Sequence, residues 1–320
     1  MTTSTKIWTI VAVALTVVGI IVIATVILTN GGKIERFGTV KYETNIFETN
    51  SDFNNISIDT DTADIRLLPS ADGKCKVECY EGQNERHSVL VKDGELSIKL
   101  VNEKKWYEYI GINWGTPKIT VYLPKEAYTS LAISTDTSNV VIPKDFSFES
   151  IDVSTHTGNV DLSASVKNAA RIKATTGNIK IENTSSGSLD LSVSTGKISL
   201  SSVDVDGVLK TSVSTGKTEL KKVSCKSLVS NGDTGDLTMT DVVASDTFSI
   251  ERSTGDVRFE RCDAHNITIT TDTGDVTGSL LSEKIFSTDT DTGRVNVPVG
   301  TSGGICRVKT DTGDIKITVN

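Results

Sequence analysis

From residue 131 to the last residue, apolar and polar positions alternate on either side of a recurring Thr-Gly corner. It stands at Thr157-Gly158, Thr176-Gly177, Thr195-Gly196, Thr215-Gly216, Thr234-Gly235, Thr254-Gly255, Thr273-Gly274, Thr292-Gly293 and Thr312-Gly313. Thr137-Ser138 is the same corner with Ser in the glycine place, and successive corners lie 20, 19, 19, 20, 19, 20, 19, 19 and 20 residues apart. Seven positions before the corner every copy is apolar, from Leu131, Ile151 and Ala170 to Phe248, Phe286 and Cys306. Two after it come Val140, Val160, Ile179 and their counterparts, with Thr218 the exception; four after it come Ile142, Leu162, Ile181 and theirs, with Gly278 the exception. A spacing of two on both sides of a turn predicts half-buried strands and not helix. Glycine supplies the positive φ that such a corner needs. A unit of two or three short strands cannot bury its apolar side alone, but a stack of them can. The pattern therefore predicts an all-β, single-stranded β-solenoid with one coil per 19–20 residues. Its ten coils over 131–320 would make a rod roughly 48 Å long at a strand spacing of ~4.8 Å.

Ahead of the coils the pattern changes. After a short tail (1–6), residues 7–29 contain no charged side chain and predict a transmembrane helix of about 35 Å. A cleaved signal peptide fits less well, because no small-residue cleavage site follows Leu28. Residues 30–55, with Gly31-Gly32, read as a stalk and lead-in strand. In 56–68 the template returns: with Ala63 in the corner, Ile56 and Ile58 precede it and Ile65 and Leu67 follow at the right spacings, giving a first coil 75 residues ahead of Ser138. The insert at 69–130 predicts antiparallel strands over 74–80, 88–92, 95–101 and 118–123, with a hairpin at Asp93-Gly94. It reads as an N-terminal cap over the open end of the stack. No such cap is evident after the last corner.

Composition narrows the function classes. Thirty-three basic against 41 acidic residues give a net charge of −8, which argues against a nucleic-acid partner. Asp-Thr-Gly recurs at 233–235, 272–274, 291–293 and 311–313, but at the coil period, so the carboxylates form one column and not the paired acids of an aspartic protease. Asp233, Asp272, Asp291 and Asp311, with Asp236, Asp256, Asp275 and Asp314 beside the turn, predict a solvated polar corner. Weak Ca²⁺ binding is the alternative, since oxygen donors suit that ion, although Lys197 and Arg294 interrupt the second column. No other cofactor is expected. The Thr before each corner suggests a hydroxyl ladder or a turn hydrogen bond. Five cysteines exclude a complete disulfide framework. Cys306 sits in the apolar column, Cys262 in one with Val203, Val223, Val242 and Leu281, and Cys225 in one with Val205, Ala244 and Ala264, all as small core residues. Cys75 and Cys79 are too far apart on an extended strand, about 13 Å, to bridge. His87, His156 and His265 are scattered, and the spacing reveals no zinc constellation and no catalytic residue. Trp106, Tyr107, Tyr109 and Trp114 cluster between cap strands as a candidate binding surface or as a seal on the core.

The anchor, the first coil Ile-x-Ile-x-x-x-x-Ala-Asp-Ile, the insert closing on Ile119-Thr120-Val121-Tyr122-Leu123-Pro124 and the serial Ser/Thr-x-Thr-Gly-Asp/Asn-Val/Ile turns resemble the bacterial DUF4097 family, which carries an adhesin label. The likeness covers roughly residues 40–320. It implies a right-handed β-solenoid at the cell envelope, no enzymatic activity and no catalytic residues to carry over. The expected function is a membrane-anchored, non-catalytic binding or adhesin-like module with most of the chain outside the cytoplasm. The alternative is an envelope-stress or sensing accessory that binds a partner membrane protein. Expected partners are the membrane through 7–29, an envelope protein or glycan, and a second copy end to end through the uncapped last coil.

Overall fold

A computed structural model of the chain describes residues 3–29, 41–102 and 115–320. Thr3–Thr29 form helix α1, and an 18-residue window within Thr5–Thr29 has a mean hydropathy of 3.1 with none of it buried. It is long and apolar enough to cross a membrane. The strands β1 (Tyr42–Thr49), β2 (Asn55–Thr60), β3 (Asp64–Pro69), β4 (Cys75–Gly82), β5 (Glu85–Lys92), β6 (Glu95–Asn102) and β7 (Lys118–Leu123) follow. The regular rungs begin with β8 (Ala127–Thr137), β9 (Val140–Ile142), β10 (Ser147–Thr157) and β11 (Val160–Leu162). Next, β12 (Ser165–Thr234) runs extended through three corners. It leads into β13 (Leu237–Thr254), β14 (Val257–Cys262), β15 (Asn266–Thr273), β16 (Val276–Leu280), β17 (Lys284–Thr292), β18 (Val295–Asn296), β19 (Gly304–Thr312) and β20 (Ile315–Val319).

The rungs stack in parallel and in register. Leu131 pairs with Ile151, Ile151 with Ala170, Leu228 with Phe248 and Phe248 with Ile267, and all of these side chains are buried. At the corner two demands meet. Gly196 has φ 146°, and a Cβ there would stand 1.8 Å from the carbonyl oxygen of Gly177, which bears the same relation to Gly158. The corner N–H reaches the neighbouring rung: Gly158 donates to the Thr176 carbonyl at 2.9 Å and Gly235 to that of Thr254 at 2.8 Å. The recurring threonines thus act through their carbonyls, and Thr157, Thr176 and Thr254 expose their side chains. A hydroxyl bond does exist, but on inward threonines two residues earlier. Thr155 donates to the Thr157 carbonyl at 3.2 Å, Thr290 to Gly313 at 3.0 Å and Thr310 to Gly274 at 3.2 Å.

A second corner lies six residues on. Asn183, Ser202, Lys222, Asp241 and Arg261 all have φ between 51° and 56°, a left-handed bend that costs an L residue about 1–2 kcal/mol. Its polar, varied occupants hid it in the sequence. The rung after Arg261 lacks the bend, and the register slips by one. Leu280, and not Leu281, pairs with Cys262 and is buried, while Leu281 is exposed.

Gaps in the inward columns are filled from the neighbouring rung. The Phe259 ring occupies the space of a side chain at Gly278, where a Cβ would lie 2.3 Å from it. Arg252 lies at an inward position, 2% exposed, over Gly232. Its Nη1 donates to the carbonyls of Ser230 (3.1 Å) and Glu251 (2.8 Å), and its Nη2 to Ser230 Oγ (2.8 Å). Burial pulls this guanidinium down to about 10, so it stays charged at neutral pH inside the rod, held by neutral acceptors.

At both ends the chain order departs from the stacking order. Ile56 pairs with Leu131 and Ile65 with Val140, so the first coil sits directly on the regular rungs despite the 75-residue gap. The insert does not simply cap this coil with antiparallel strands. β6 and β7 lie parallel to β2 and β3, with Leu96 on Ile56 and Ile119 on Ile65, and form a further rung outside the first. Beyond it, β5 on β6, β4 on β7 and β1 on β4 are antiparallel. At the other end β19 lies between β15 and β17, and β20 between β16 and β18. The spatial order of corners is therefore Gly274, Gly313, Gly293. Gly303 (φ 92°) and Gly304 let the returning chain through, since Cβ atoms there would lie 2.0 Å from the Glu283 carbonyl oxygen and 1.6 Å from that of His265. The outermost rung turns Thr288 and Thr290 inward, in columns that also hold the buried Thr211, Ser230, Thr271 and Thr310. The last strand of the chain, β20, is thus placed inside the stack, and β17 and β18 form its open outer edge.

Gly196→Ala is expected to lower stability by about 3 kcal/mol in urea unfolding, because neither the φ nor the neighbouring carbonyl can yield; Lys197→Ala beside it should change stability little. Removing residues 304–320 should also disorder 284–296, which pairs with nothing else among the described residues. Hydrogen exchange would show this as lost protection from Lys284 onward, and protection retained there would contradict the observed stacking order.

Candidate binding surface

The residue after each corner points outward and builds a second ladder. Asp64 Oδ1 accepts from the Asn139 N–H at 2.8 Å, Asn139 Oδ1 from Asn159 at 3.1 Å and Asn159 Oδ1 from Asn178 at 3.0 Å. After Lys197 and Lys217 it resumes: Asp236 Oδ1 accepts from Asp256, Asp256 from Asp275, Asp275 from Asp314 and Asp314 from Arg294. Because of the inserted last rung, Arg294 does not interrupt this column but ends it. Its N–H, then its charge, holds the Asp314 carboxyl below the usual range. One oxygen of each aspartate is thus committed to a backbone N–H, and Lys217 Nζ lies 3.6 Å from Asp236 Oδ2. The Asp-Thr-Gly aspartates 233, 272, 291 and 311 are exposed in their own column.

A groove of about 770 Å³ opens where the first rungs meet the cap. Tyr42, Asp61, Asp64, Glu85, Asn139 and Gly158 are among its lining residues, which include three carboxylates and, among the described residues, no Lys or Arg. Partial burial, and then the charges of Asp136 and Glu85, raise the Asp61 carboxyl. Tyr42 stacks on Tyr80 with ring centroids 5.3 Å apart. Such a wall accepts hydrogen bonds and attracts cations. Trp106, Tyr107, Tyr109 and Trp114 lie outside the described residues; Gly115, just after them, lines the groove.

All five cysteines are free and buried, as small core residues. One grouping was not legible in the spacing: Cys79, Glu81 and His87 come together in the cap. Cys79 and Glu81 share a face of β4, and the turn at 83–84 brings His87 back beside them. The signal available was the i, i+2 pair followed by a hairpin, but it does not say which way the hairpin folds.

The Toastrack DUF4097 family model matches residues 53–216 and 209–320. No curated protein matches the chain. Among solved structures it is similar to a "putative adhesin" of Parabacteroides merdae, at 12% identity and a TM-score of 0.48, covering 87% of this chain and 97% of that one. A "putative adhesin" of Bacteroides fragilis gives 17%, 0.36, 87% and 97% in the same order. A "putative lipid binding protein" of Parabacteroides distasonis gives 15%, 0.28, 88% and 98%.

The outward ladder yields a contrast between two substitutions. Asn159→Asp keeps the acceptor for the Asn178 N–H and should cost little, whereas Asn159→Leu should cost about 1–2 kcal/mol in urea unfolding.

Proposed function

This chain belongs to the Toastrack DUF4097 family, and on that footing we propose that it is a membrane-tethered, non-catalytic binding module of the cell envelope. In this reading α1 spans the membrane and the rod lies outside the cytoplasm. The observation that carries it is the register of the rungs: each outward side chain stands over its counterpart in the next, so the faces are rigid, polar and repetitive. A repetitive partner such as an envelope glycan or protein fits such a face. The acidic groove at the cap is the proposed point of attachment.

One feature supports a second reading, as an accessory that contacts a partner membrane protein or a second copy. The outermost rung leaves an open strand edge with Ile285, Val295 and Val299 exposed, the last at 96%, and such edges recruit other chains.

Intact cells carrying the chain with a C-terminal epitope tag provide the test. Added protease is expected to remove the tag without lysis, and protection until lysis would contradict the topology. Adherence of the same cells to immobilised envelope polysaccharide should fall at least tenfold with Asp61→Lys at unchanged melting temperature. Unchanged adherence would remove the groove from the reading, and stoichiometric copurification of one membrane protein would favour the accessory.

A further inference from the structure

The cap holds a polar cluster that the binding surface does not use. Glu81 is 1% exposed and accepts three hydrogen bonds. They come from the Asn45 amide (2.6 Å, to Oε1), the His87 backbone N–H (2.7 Å, to Oε2) and the His87 ring at Nδ1 (2.6 Å, to Oε2). The other ring nitrogen, Nε2, lies 2.8 Å from Thr60 Oγ1. Cys79 Sγ completes the group, and donor atoms of Cys79, Glu81 and His87 all lie within 4.8 Å of one another. Four strands meet here, because Asn45 is on β1, Thr60 on β2, Cys79 and Glu81 on β4, and His87 on β5.

We propose that Cys79, Glu81 and His87 bind one Zn²⁺ ion. A thiolate, an imidazole and a carboxylate are the donor types that zinc takes, at about 2.0–2.3 Å each. Tetrahedral bonds of that length place ligand atoms about 3.3–3.7 Å apart, inside the 4.8 Å that already encloses the three donor atoms. The 2.6 Å contact between Glu81 and His87 widens as the ion takes the place of the proton between them. The outer partners are in position as well. Asn45 holds the far oxygen of Glu81, and Thr60 holds the far nitrogen of His87, the arrangement that orients ligands around bound zinc. Nδ1 faces Glu81 Oε2 and Nε2 faces Thr60 Oγ1. With metal on Nδ1, the imidazole carries its proton on Nε2 and donates to Thr60 Oγ1, so the ring stays neutral. Cys79 loses its thiol proton, and one proton leaves the protein for each ion bound. Water completes the fourth position.

A small recess beside His87 shares Thr62, Glu85 and Pro117 with the acidic groove, whose carboxylates concentrate cations at its mouth. Bound zinc would fasten β4 to β5, which pair with other strands and not with each other.

The full chain in detergent, stripped with a chelator and kept reduced, is titrated with Zn²⁺ and with Co²⁺. One equivalent of Zn²⁺ should bind and raise the melting temperature, and Co²⁺ should give a thiolate-to-cobalt charge-transfer absorption. That absorption should vanish in Cys79→Ser and persist in Cys75→Ser; Thr60→Val should weaken binding about tenfold through the outer partner of His87. Absence of stoichiometric binding by the wild-type chain overturns the proposal, whether or not the variants fold. So does a cobalt–thiolate band that survives Cys79→Ser.

Discussion

The contact between corners of neighbouring rungs governs the rest of this structure. Within the stack a corner glycine passes its carbonyl to within a distance of the next that leaves no room for a Cβ, and the N–H groups of Gly158, Gly235, Gly255, Gly274 and Gly313 bond to a threonine carbonyl one rung away. Two backbones this close cannot slide past one another, because a shift of one residue would put a side chain where none fits. The corner therefore fixes the register, and the register decides which side chains face inward. Burial of the aliphatic columns supplies most of the stabilisation, but the corner chooses which residues are buried.

The same register explains the surface. Side chains just after the corner stand at the strand spacing and within reach of the next rung's N–H, so asparagine and aspartate serve equally as acceptors. Their recurrence thus has a structural cause that does not depend on a ligand. At two breaks in the inward columns an adjacent rung compensates: Phe259 over Gly278 and Arg252 over Gly232. In a stack the unit of packing is the pair of rungs and not the single repeat.

Much of this was legible in the residues. The period, the inward columns at minus seven and plus two, the first coil at Ile56 and the apolar helix all follow from hydrophobic alternation and length. The second corner was not, because Asn183, Lys222 and Arg261 share a backbone angle but no side-chain chemistry. Stacking order was not legible either. Alternation in Leu96, Ile98, Ile119 and Val121 marks a strand face without saying whether its neighbour is parallel, and nothing in Phe286 or Cys306 says which lies outside. Only the glycines at 303 and 304 hint that one segment must pass close beside another. The grouping of Cys79, Glu81 and His87 depends on how a hairpin folds across a rung, which the spacing of three residues does not contain.

Both ends of the rod follow one plan, in which the first and last rungs of the chain are built into the stack and a rung between them in sequence is placed outside. The first rung is thereby paired on both edges, β2 lying between β6 and β8, and in the last rung Ile315 and Lys316 lie between β16 and β18. Disulfide trapping tests the stacking most directly, using cysteines placed at outward positions of the last three rungs. Thr268 and Arg307 are direct partners, as are Arg307 and Ser287, so Thr268→Cys with Arg307→Cys should cross-link under mild oxidation, and Thr268→Cys with Ser287→Cys, two rungs apart, should not. Cross-linking of the second pair in place of the first would mean that the rungs stack in simple chain order, and would contradict the account.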